Sequence, residues 1–493
     1  MTTALRTALL VGALTLLLAA PASASKTQES IFEDEQQLLE RGPDVRNATL
    51  DDIDALGADS IRSLVLWSRI APAGSRRPKG FAGANPDAYP AAAWDPYDDL
   101  VRGANVRGLG LLLSPSTPIP AWASDCTRGV KATCKPDPKL FGDFVTALGT
   151  RYSGTYADEN QGGGVLPRVT RWSFGNEPNQ PGWLTPQYER KSGRLVASAA
   201  VRYRQLAAAA IKALRASGHG ADQMLLGETA PIGRTSGSLS RRPIPPVEFL
   251  RKLFCLDSRG RRLAGAEGRA HSCSGFRRLG VTGFAHHPYQ RGGSRPPAEP
   301  PQAAGEITIS APSRLRRLLT QAGRASRIPR SLPVFYTEFG FQTNPPDRIF
   351  GVRVALQADY VNQSDWMAYR DSSVKSVAQY KLVDETAISS FQSGLRFIDG
   401  SPKPAYDAYR LPIWVTRSGS NVRVYGQVRP AADSTPQQVD IQVKPAGGSF
   451  ATVQSVTVSS LKGHFLQTLP ARSGTWRLSW NGLVSREAKV ARR

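Results

Sequence analysis

The chain of 493 residues has little of the material from which metal and redox enzymes are built. It contains five histidines, four cysteines and three methionines, which is too little for a multi-metal or iron–sulfur enzyme, so we expect neither a metal nor a cofactor. No G-x-G-x-x-G or P-loop sequence occurs. No block of five or six like charges suggests nucleic-acid binding, although the net charge is +23. A hydrophobic fraction of 40% still permits a large core, which excludes wholesale disorder.

Long apolar runs are also absent after the first 24 residues. Arg6 precedes an apolar segment over residues 8–20, and Ala22-Ser23-Ala24 has the small residues of a cleavage site. These features predict a signal peptide over residues 1–24 and a secreted protein, with a retained N-terminal anchor as the alternative. No later segment reaches 18 apolar residues, so we expect no membrane span.

The four cysteines are expected to form structural disulfides once the protein is exported. Cys126 and Cys134 lie in one polar loop, and Cys255 and Cys273 lie in another. Of the three possible pairings, the two local ones fit the chain best. A zinc site would need closer cysteine pairs than these. Each bridge should contribute roughly 2.5–3 kcal/mol through loop closure.

Strand-length apolar runs alternate with helix-length segments between residues 30 and 410. This alternation predicts an α/β fold, a (β/α)8 TIM barrel over residues 25–412, with a doubly wound open sheet as the competitor. Long insertions at residues 231–280 and 290–310 follow two of the strands. The eight predicted strands are Ser30–Phe32, Ile61–Trp67, Gly108–Ser114, Val169–Phe174, Met224–Glu228, Val281–His287, Pro333–Glu338 and Val374–Leu382.

Four helices are predicted with recognisable boundaries, and a different pattern follows the barrel. The helices are Leu50–Leu56, Pro96–Ala104, Pro186–Ser217 and Arg353–Arg370. Residues 420–493 contain short period-2 runs separated by glycine, proline and serine, which predicts a C-terminal antiparallel β-sandwich. This sandwich is either a glycan-binding module or a structural support for the barrel. Because the linker at residues 411–418 is short, we expect support, with Tyr406, Tyr409 and Trp414 packed between the two domains.

Two glutamates follow hydrophobic strands and are the strongest chemical signal. Glu177 stands in V-T-R-W-S-F-G-N-E-P-N, and Glu338 stands in P-V-F-Y-T-E-F-G-F. A carboxylate at such a position is costly unless the protein uses or pairs it. Two of them at the mouth of one barrel provide the acid and the opposing carboxylate that glycoside cleavage requires.

The N-E-P and T-E-F-G sequences resemble the fourth- and seventh-strand signatures of the clan A glycoside hydrolases, the cellulase- and β-xylosidase-like barrels. The resemblance covers about residues 28–412. It implies that Glu177 is the acid/base and Glu338 the nucleophile, and that Asn176 binds the sugar 2-hydroxyl. It further implies that Arg62, in I-R-S-L-V-L-W, supports the nucleophile, and that His287-Pro288-Tyr289 is the sixth-strand His-x-Tyr pair.

One departure from the family pattern concerns the sugar platform. Clan A enzymes usually carry a tryptophan at the end of the eighth strand, where this chain has Gln379 and Tyr380. Phe391 and Trp366 are possible substitutes. Among the other aromatic residues, Trp122 and Trp183 have the best positions for stacking on a sugar.

Two further residues compete with the assigned ones. His286 precedes His287, and the two face opposite sides of a strand, so only one of them lines the site; His287 shares a face with Tyr289 and is preferred. Glu228, at the end of the fifth strand, is the rival carboxylate and is interpreted as supporting the site.

These observations predict a secreted retaining glycosidase acting on a polysaccharide or oligosaccharide, expected to be a monomer. In the proposed pair, Glu338 is ionised with help from Arg62 and Tyr289, and Glu177 is protonated. The alternative is a non-catalytic carbohydrate- or cell-wall-binding protein on the same scaffold. The net charge has three interpretations: attachment to anionic wall polymers, an acidic glycan substrate, or genomic compositional bias.

Overall fold

The computed structural model describes residues 25–127, 129–431 and 435–491, so the predicted signal peptide lies outside the described residues. Eight parallel strands form a closed barrel in which each strand pairs with its sequence neighbours and the first pairs with the last. This confirms the TIM barrel and excludes the open sheet. The barrel strands are β1 (Glu29–Glu33), β2 (Ser60–Leu66), β3 (Gly110–Ser116), β4 (Arg171–Ser173), β5 (Gln223–Thr229), β6 (Gly283–His286), β7 (Val334–Tyr336) and β8 (Val374–Tyr380).

Helices follow the strands and cover the barrel. One of them shows how the sequence sets a boundary: the Asp137 side chain accepts a 2.8 Å hydrogen bond from the Leu140 backbone N–H, and Pro138 occupies the first helical position. The α-helices are Pro43–Ala55, Trp67–Ile70, Ala91–Val106, Pro138–Arg151, Ser198–Ala216, Pro246–Leu253, Gly265–Ala270, Pro312–Arg324, Val354–Tyr369 and Pro404–Arg410. Single turns of other helix types lie at Gln36–Glu40, Pro86–Ala88 and Ala121–Ala123.

Three predicted helices were wrong in their boundaries. The helix expected over Leu50–Leu56 spans Pro43–Ala55, with Pro43 at its first position. The segment Pro186–Ser217 is not one helix, because Glu189–Lys191 and Arg194–Val196 pair as a hairpin and the helix begins only at Ser198. The cause is the turn at Ser192-Gly193, where both residues have positive φ (48° and 76°), which a helix cannot contain.

The helix expected to begin at Pro96 in fact begins at Ala91, with Pro96 inside it. The added first turn contains Trp94, whose side chain is fully buried. Burial of this large apolar side chain stabilises the helical turn that precedes Pro96.

The C-terminal residues form two packed antiparallel sheets. One sheet has the order β9-β10-β13 and the other β12-β11-β14-β15. These strands are β9 (Ile413–Ser418), β10 (Asn421–Gln427), β11 (Gln437–Lys444), β12 (Ala451–Val458), β13 (His464–Pro470), β14 (Thr475–Trp480) and β15 (Leu483–Val484). The expected linker at residues 411–418 is therefore largely a strand, and the sandwich begins before residue 420.

Buried polar and aromatic contacts join the sandwich to the barrel. Arg429 donates to the Tyr409 carbonyl oxygen at 2.7 Å, and its guanidinium lies 4.1 Å from the centre of the Tyr409 ring. Trp414 packs against the cluster that Trp366 and Tyr369 of the barrel domain form with Tyr425 of the sandwich. Tyr406 does not reach the sandwich: its hydroxyl bonds Asp52 within the barrel domain.

Both local disulfides are present. Cys126 pairs with Cys134 and Cys255 with Cys273, with Cα–Cα distances of 6.0 and 5.7 Å. No free cysteine remains among the described residues. Within residues 25–127, 129–431 and 435–491, no helix combines the length and apolar character that crossing a bilayer requires.

Candidate active site

Both predicted carboxylates lie just beyond the carboxyl ends of their strands. β4 ends at Ser173, and Gly175 (φ 72°) then turns the chain toward Asn176 and Glu177. β7 ends at Tyr336, two residues before Glu338. Because all eight strands are parallel, these ends meet at one mouth of the barrel, where barrel enzymes hold their active sites.

Two glutamates at this mouth have strained backbones. Glu177 has φ 36° and Glu228 has φ 47°, in the left-handed region that side chains other than glycine seldom occupy. Such conformations cost on the order of 1–3 kcal/mol and persist only where the surroundings hold them. The strain marks Glu177 and Glu228 as residues whose orientation the fold enforces.

Glu338 is almost completely buried and accepts hydrogen bonds on both oxygens. Tyr289 donates its hydroxyl to Oε1 at 3.0 Å, and Arg62 donates to Oε2 at 3.3 Å. His287 Nδ1 also lies 3.4 Å from Oε2. The predicted donors, Arg62 and Tyr289, are therefore both in place, and His287 is a third group that contacts this carboxylate.

Arg62 connects four strands of the barrel. Its Nη1 bonds Glu33 on β1 as well as Glu338, and its Nε lies 3.3 Å from Glu228 Oε1 on β5. Its Nη2 donates to Asn176 Oδ1 at 2.7 Å. Since the side chain is fully buried, one guanidinium supplies its single positive charge and its hydrogen bonds to several acidic groups that water cannot reach.

His287 lies between three carboxylates, in agreement with the prediction that His287 and not His286 lines the site. Its Nδ1 is 3.2 Å from Glu177 Oε1, and its Nε2 is 2.8 Å from Glu228 Oε2. His286 points away from the site, toward the Thr229 hydroxyl and the Ile307 carbonyl oxygen, both at 2.8 Å.

Burial and neighbouring charges change several pKa values. Burial raises the pKa of Glu338, and Glu177 adds to this effect, although His287, Arg62 and Tyr289 oppose it. Burial by itself would lower the pKa of His287, but the charge of Glu338 and the hydrogen bonds to Glu177 and Glu228 raise it to about 9. For Glu228, the desolvation cost of burial is outweighed by Arg62 and His287, which lower its pKa to about 2.

The side chains of Glu177, His287 and Glu338 also have the types of atom that bind metals. One nitrogen and two oxygens from them lie within 4.8 Å of one another. A metal requires a neutral imidazole, however, whereas the pKa of His287 is raised to about 9, and Arg62 already supplies a positive charge to Glu338. The donor set therefore fits a hydrogen-bonded carboxylate pair better than a metal.

An open cavity of about 380 Å³ lies above the two carboxylates. Asn176 and Trp183 line it, as do the aromatic residues Tyr380 and Phe391, whose ring centres are 5.2 Å apart. The volume falls in the range of small-ligand sites. Tyr380 is the last residue of β8, and with Phe391 and Trp183 it gives the cavity an aromatic wall.

Of the seven predicted substrate-binding residues, only Asn176 and Trp183 are among the described residues that line this cavity. Arg62, His287 and Tyr289 contact the carboxylates instead, and the remaining two serve elsewhere. Trp122 donates to the Pro72 carbonyl oxygen at 3.2 Å and packs edge-on against Trp67. Gln379 is buried, and its amide donates to three backbone carbonyls, the nearest being that of Ser393 at 2.9 Å. Trp122 thus packs against neighbouring aromatic residues, and Gln379 anchors the chain after β8.

Sequence reasoning missed six charged residues that line the cavity, namely Glu33, Glu35, Glu40, Arg69, Lys381 and Glu385. Glu33 ends β1 and bonds Arg62, and the cavity is also lined by Lys381, which lies 2.8 Å from Glu385. The available signal was the acidic run E-D-E directly after the first strand, at a carboxyl end where a barrel places functional groups.

No protein-family model matches the chain, and no curated protein does either. Solved structures with a similar barrel include a beta-glycosidase from the hyperthermophile Thermosphaera aggregans (16% identity, 78% of this chain and 95% of that chain, TM-score 0.47). A beta-glucosidase from Pyrococcus furiosus covers 79% and 95% at 15% identity and TM-score 0.46. An FMN-binding beta-glucuronidase from Faecalibacterium prausnitzii covers 95% of this chain and 57% of that chain, at 11% identity and TM-score 0.42.

The topology also agrees with the family resemblance in the sequence. Glu177 follows the fourth strand and Glu338 the seventh strand of a closed parallel barrel. Arg62 on β2 and Tyr289 after β6 both contact Glu338. The chain thus has the TIM barrel and the strand positions of paired glutamates that its resemblance to the clan A glycoside hydrolases predicts.

Proposed function

We propose that this protein is a retaining glycoside hydrolase that cleaves O-glycosidic bonds of a polysaccharide or oligosaccharide. The observation that carries the proposal is the pairing of Glu177 and Glu338 in one cavity, with oxygens of both within 4.8 Å of His287 and of each other. Inverting enzymes hold their carboxyl groups about 6.5–9.5 Å apart to admit a water, whereas retaining enzymes hold them about 5–5.5 Å apart. The close approach here favours retention.

The proposed reaction has two steps. Glu177 gives its proton to the leaving oxygen while Glu338 attacks the anomeric carbon, forming a glycosyl ester and breaking the glycosidic bond. Glu177, now a carboxylate, then takes a proton from water, which displaces Glu338 from the sugar. Arg62 and Tyr289 orient the Glu338 carboxylate through both of its oxygens.

Two substitutions separate the proposed roles. Glu338→Ala should abolish turnover of every substrate, because no other group can form the glycosyl ester. Glu177→Ala should lower cleavage of natural linkages by about 10²–10⁴-fold. It should spare the first step on nitrophenyl glycosides, whose leaving group needs little protonation. Added azide should then release a glycosyl azide of retained configuration.

The outcome of these assays decides between the alternatives. Full activity in either alanine variant would show that other carboxylates act, and an inverted product from the unmodified enzyme would defeat the retaining mechanism. A folded wild-type protein that binds glycans but hydrolyses none, across a glycan array, would favour the non-catalytic carbohydrate-binding alternative.

We also propose that the enzyme is secreted and that its C-terminal sandwich supports the barrel. The two disulfides are compatible with an oxidising compartment, which supports a secreted enzyme cleaved after residue 24. Every proposed catalytic group lies before residue 413, so the sandwich is proposed to buttress the barrel. A disulfide-bonded monomer in the culture medium, beginning near Ser25, is the expected product; a cell-retained chain would contradict secretion.

A further inference from the structure

Among the residues that the structure describes, His287 is the only group that contacts both proposed catalytic carboxylates and a third carboxylate. Its Nδ1 lies 3.2 Å from Glu177 Oε1 and 3.4 Å from Glu338 Oε2. Its Nε2 lies 2.8 Å from Glu228 Oε2. The imidazole is fully buried, so water does not compete for these contacts.

Glu228 is built into the barrel as a permanent carboxylate. It is fully buried, lies 3.3 Å from Arg62 Nε, and accepts a 2.5 Å hydrogen bond from the Thr337 hydroxyl. Arg62 and His287 hold its pKa near 2 against the effect of burial, which would raise it. Because an ionised carboxylate can only accept hydrogen bonds, the Nε2 of His287 must carry a hydrogen.

The backbone around Glu228 is shaped to point this side chain inward. Glu228 has φ 47°, and the preceding Gly227 has φ 126°. A Cβ on Gly227 would meet the Ala285 carbonyl oxygen at 2.3 Å, so no other residue fits there. β5 and β6 shift register at this point, between Leu226 and Thr229. The strained backbone at Glu228 thus positions its carboxylate next to His287.

A positive charge on His287 would face a negative charge at both stages of the proposed reaction. In the free enzyme the negative charge of the pair is on Glu338. Once Glu338 is esterified and Glu177 has given up its proton, the same charge is on Glu177. One negative charge therefore moves between two carboxylates that lie almost equally far from His287 Nδ1.

We propose that Glu228 is a positioning residue that keeps His287 an imidazolium, whose Nδ1–H bonds whichever of Glu338 and Glu177 is ionised. This inference rests on the proposed function for its consequence, but the charge state itself can be measured without substrate. His287 would hold Glu338 ionised in the free enzyme despite burial, and would stabilise Glu177 as the general base in the second step.

Other charged and titratable groups also surround His287. Arg62 approaches from β2 and disfavours the imidazolium, and its Nη1 bonds Glu33 on β1. Tyr289 bonds Glu338 and carries no charge, because burial raises the pKa of its hydroxyl well above the ordinary value. Burial lowers the pKa of His286 to about 4, so the neighbouring imidazole is neutral.

The direct test is a nitrogen NMR titration of the wild-type protein labelled in its five histidines. The His287 signals are assigned by their loss in His287→Gln. We expect His287 to remain protonated on both nitrogens through pH 8. A neutral His287 at pH 7 in the wild-type protein would overturn the proposal.

Glu228→Gln tests the cause, because it keeps the shape and removes the charge. In this variant we expect His287 to lose its proton below pH 7. Glu33→Gln is the matched control. It also removes a buried carboxyl group bonded to Arg62, but Glu33 does not contact His287, so the pKa of His287 should shift much less than in Glu228→Gln. Equal shifts in both variants would contradict a specific role for Glu228. If Glu228→Gln does not fold, the wild-type titration alone decides.

Activity provides a separate result. The ratio of kcat/KM between wild type and Glu228→Gln should grow about tenfold or more between pH 5.5 and 7.5, because the variant loses its imidazolium over that range. A ratio independent of pH would show that Glu228 acts only on folding or packing. If the wild type hydrolyses no glycoside but the NMR titration shows a protonated His287, the proposed function is wrong, whereas the proposed charge state of His287 and Glu228 is still supported.

Discussion

Arg62 Nη2 donates a 2.7 Å hydrogen bond to Asn176 Oδ1, which fixes the orientation of the Asn176 amide. With its oxygen engaged, the amide has its Nδ2 hydrogens left for a ligand. Asn176 lines the cavity next to Glu177. Arg62 thus orients both the proposed nucleophile and the amide that the family resemblance assigns to the sugar 2-hydroxyl.

The loss of activity on substituting Asn176 should therefore depend on whether the substrate carries a 2-hydroxyl. Hydrogen bonds to this hydroxyl strengthen in the transition state and supply several kcal/mol. Asn176→Ala should lower kcat/KM on ordinary glycosides by about 10²–10³-fold, and on the matching 2-deoxy glycosides by about tenfold or less. Equal losses on both substrates would show that Asn176 does not bind that hydroxyl.

The charge of the cavity should select against acidic sugars. Six acidic side chains line it, of which Glu177 is the proposed protonated acid, and the lining also contains the cations Arg69 and Lys381. The positive charge of the whole chain therefore does not extend into the cavity. Like charges placed together cost several kcal/mol. We expect a nitrophenyl glycoside to be cleaved tenfold or more faster than the uronide of the same sugar, with the difference shrinking in high salt. Faster cleavage of the uronide would favour the acidic-glycan interpretation.

The contact between sandwich and barrel should depend on one buried ion pair. Arg429 Nη1 on the sandwich side lies 3.4 Å from Asp365 Oδ2 on the barrel, and both side chains are buried. Arg429→Ala leaves a buried carboxylate unpaired and should cost about 3–5 kcal/mol of unfolding free energy. Arg423→Ala, at an exposed position on β10, is the control and should stay within about 0.5 kcal/mol of wild type. Denaturant melts that do not separate these variants would argue against the buttress.

His464 should make the protein less stable in acid. Its side chain is buried where the sandwich meets the barrel, with Nε2 3.2 Å from the Gln28 carbonyl oxygen. Burial lowers its pKa to about 3, below the ordinary value of about 6.5, so the unfolded chain binds the extra proton between these two pH values. Stability should therefore fall as the pH falls from 6.5 toward 3, and this residue should account for about 2 kcal/mol at pH 5.

His464→Gln removes this titration while keeping an amide for the same contacts. The variant should lose about 2 kcal/mol less than the wild type between pH 7 and pH 5, as measured by denaturant unfolding at each pH. An identical loss in both proteins would place the acid sensitivity elsewhere.

Local sequence patterns were enough to identify the barrel, the sandwich, the disulfides and the carboxylate pair. Strand-length apolar runs followed by Glu177 and Glu338 specify the sheet and the position of both carboxylates, because a charge after a buried strand must lie at the barrel mouth. The cysteine spacing was equally local. By contrast, the hairpin before Ser198 depends on the turn at Ser192-Gly193, which the alanine-rich segment after it obscured.

Only the tertiary structure decided which side chains meet. Glu33, Asn176, Glu228 and Glu338 come from four strands and share Arg62, a juxtaposition that no spacing in the chain encodes. For the same reason Gln379 turned out to anchor backbone carbonyls, and Trp122 to pack on Trp67. Period and composition determine which residues are buried and where strands end, whereas the direction of a side chain and the groups around it depend on contacts between segments remote in sequence.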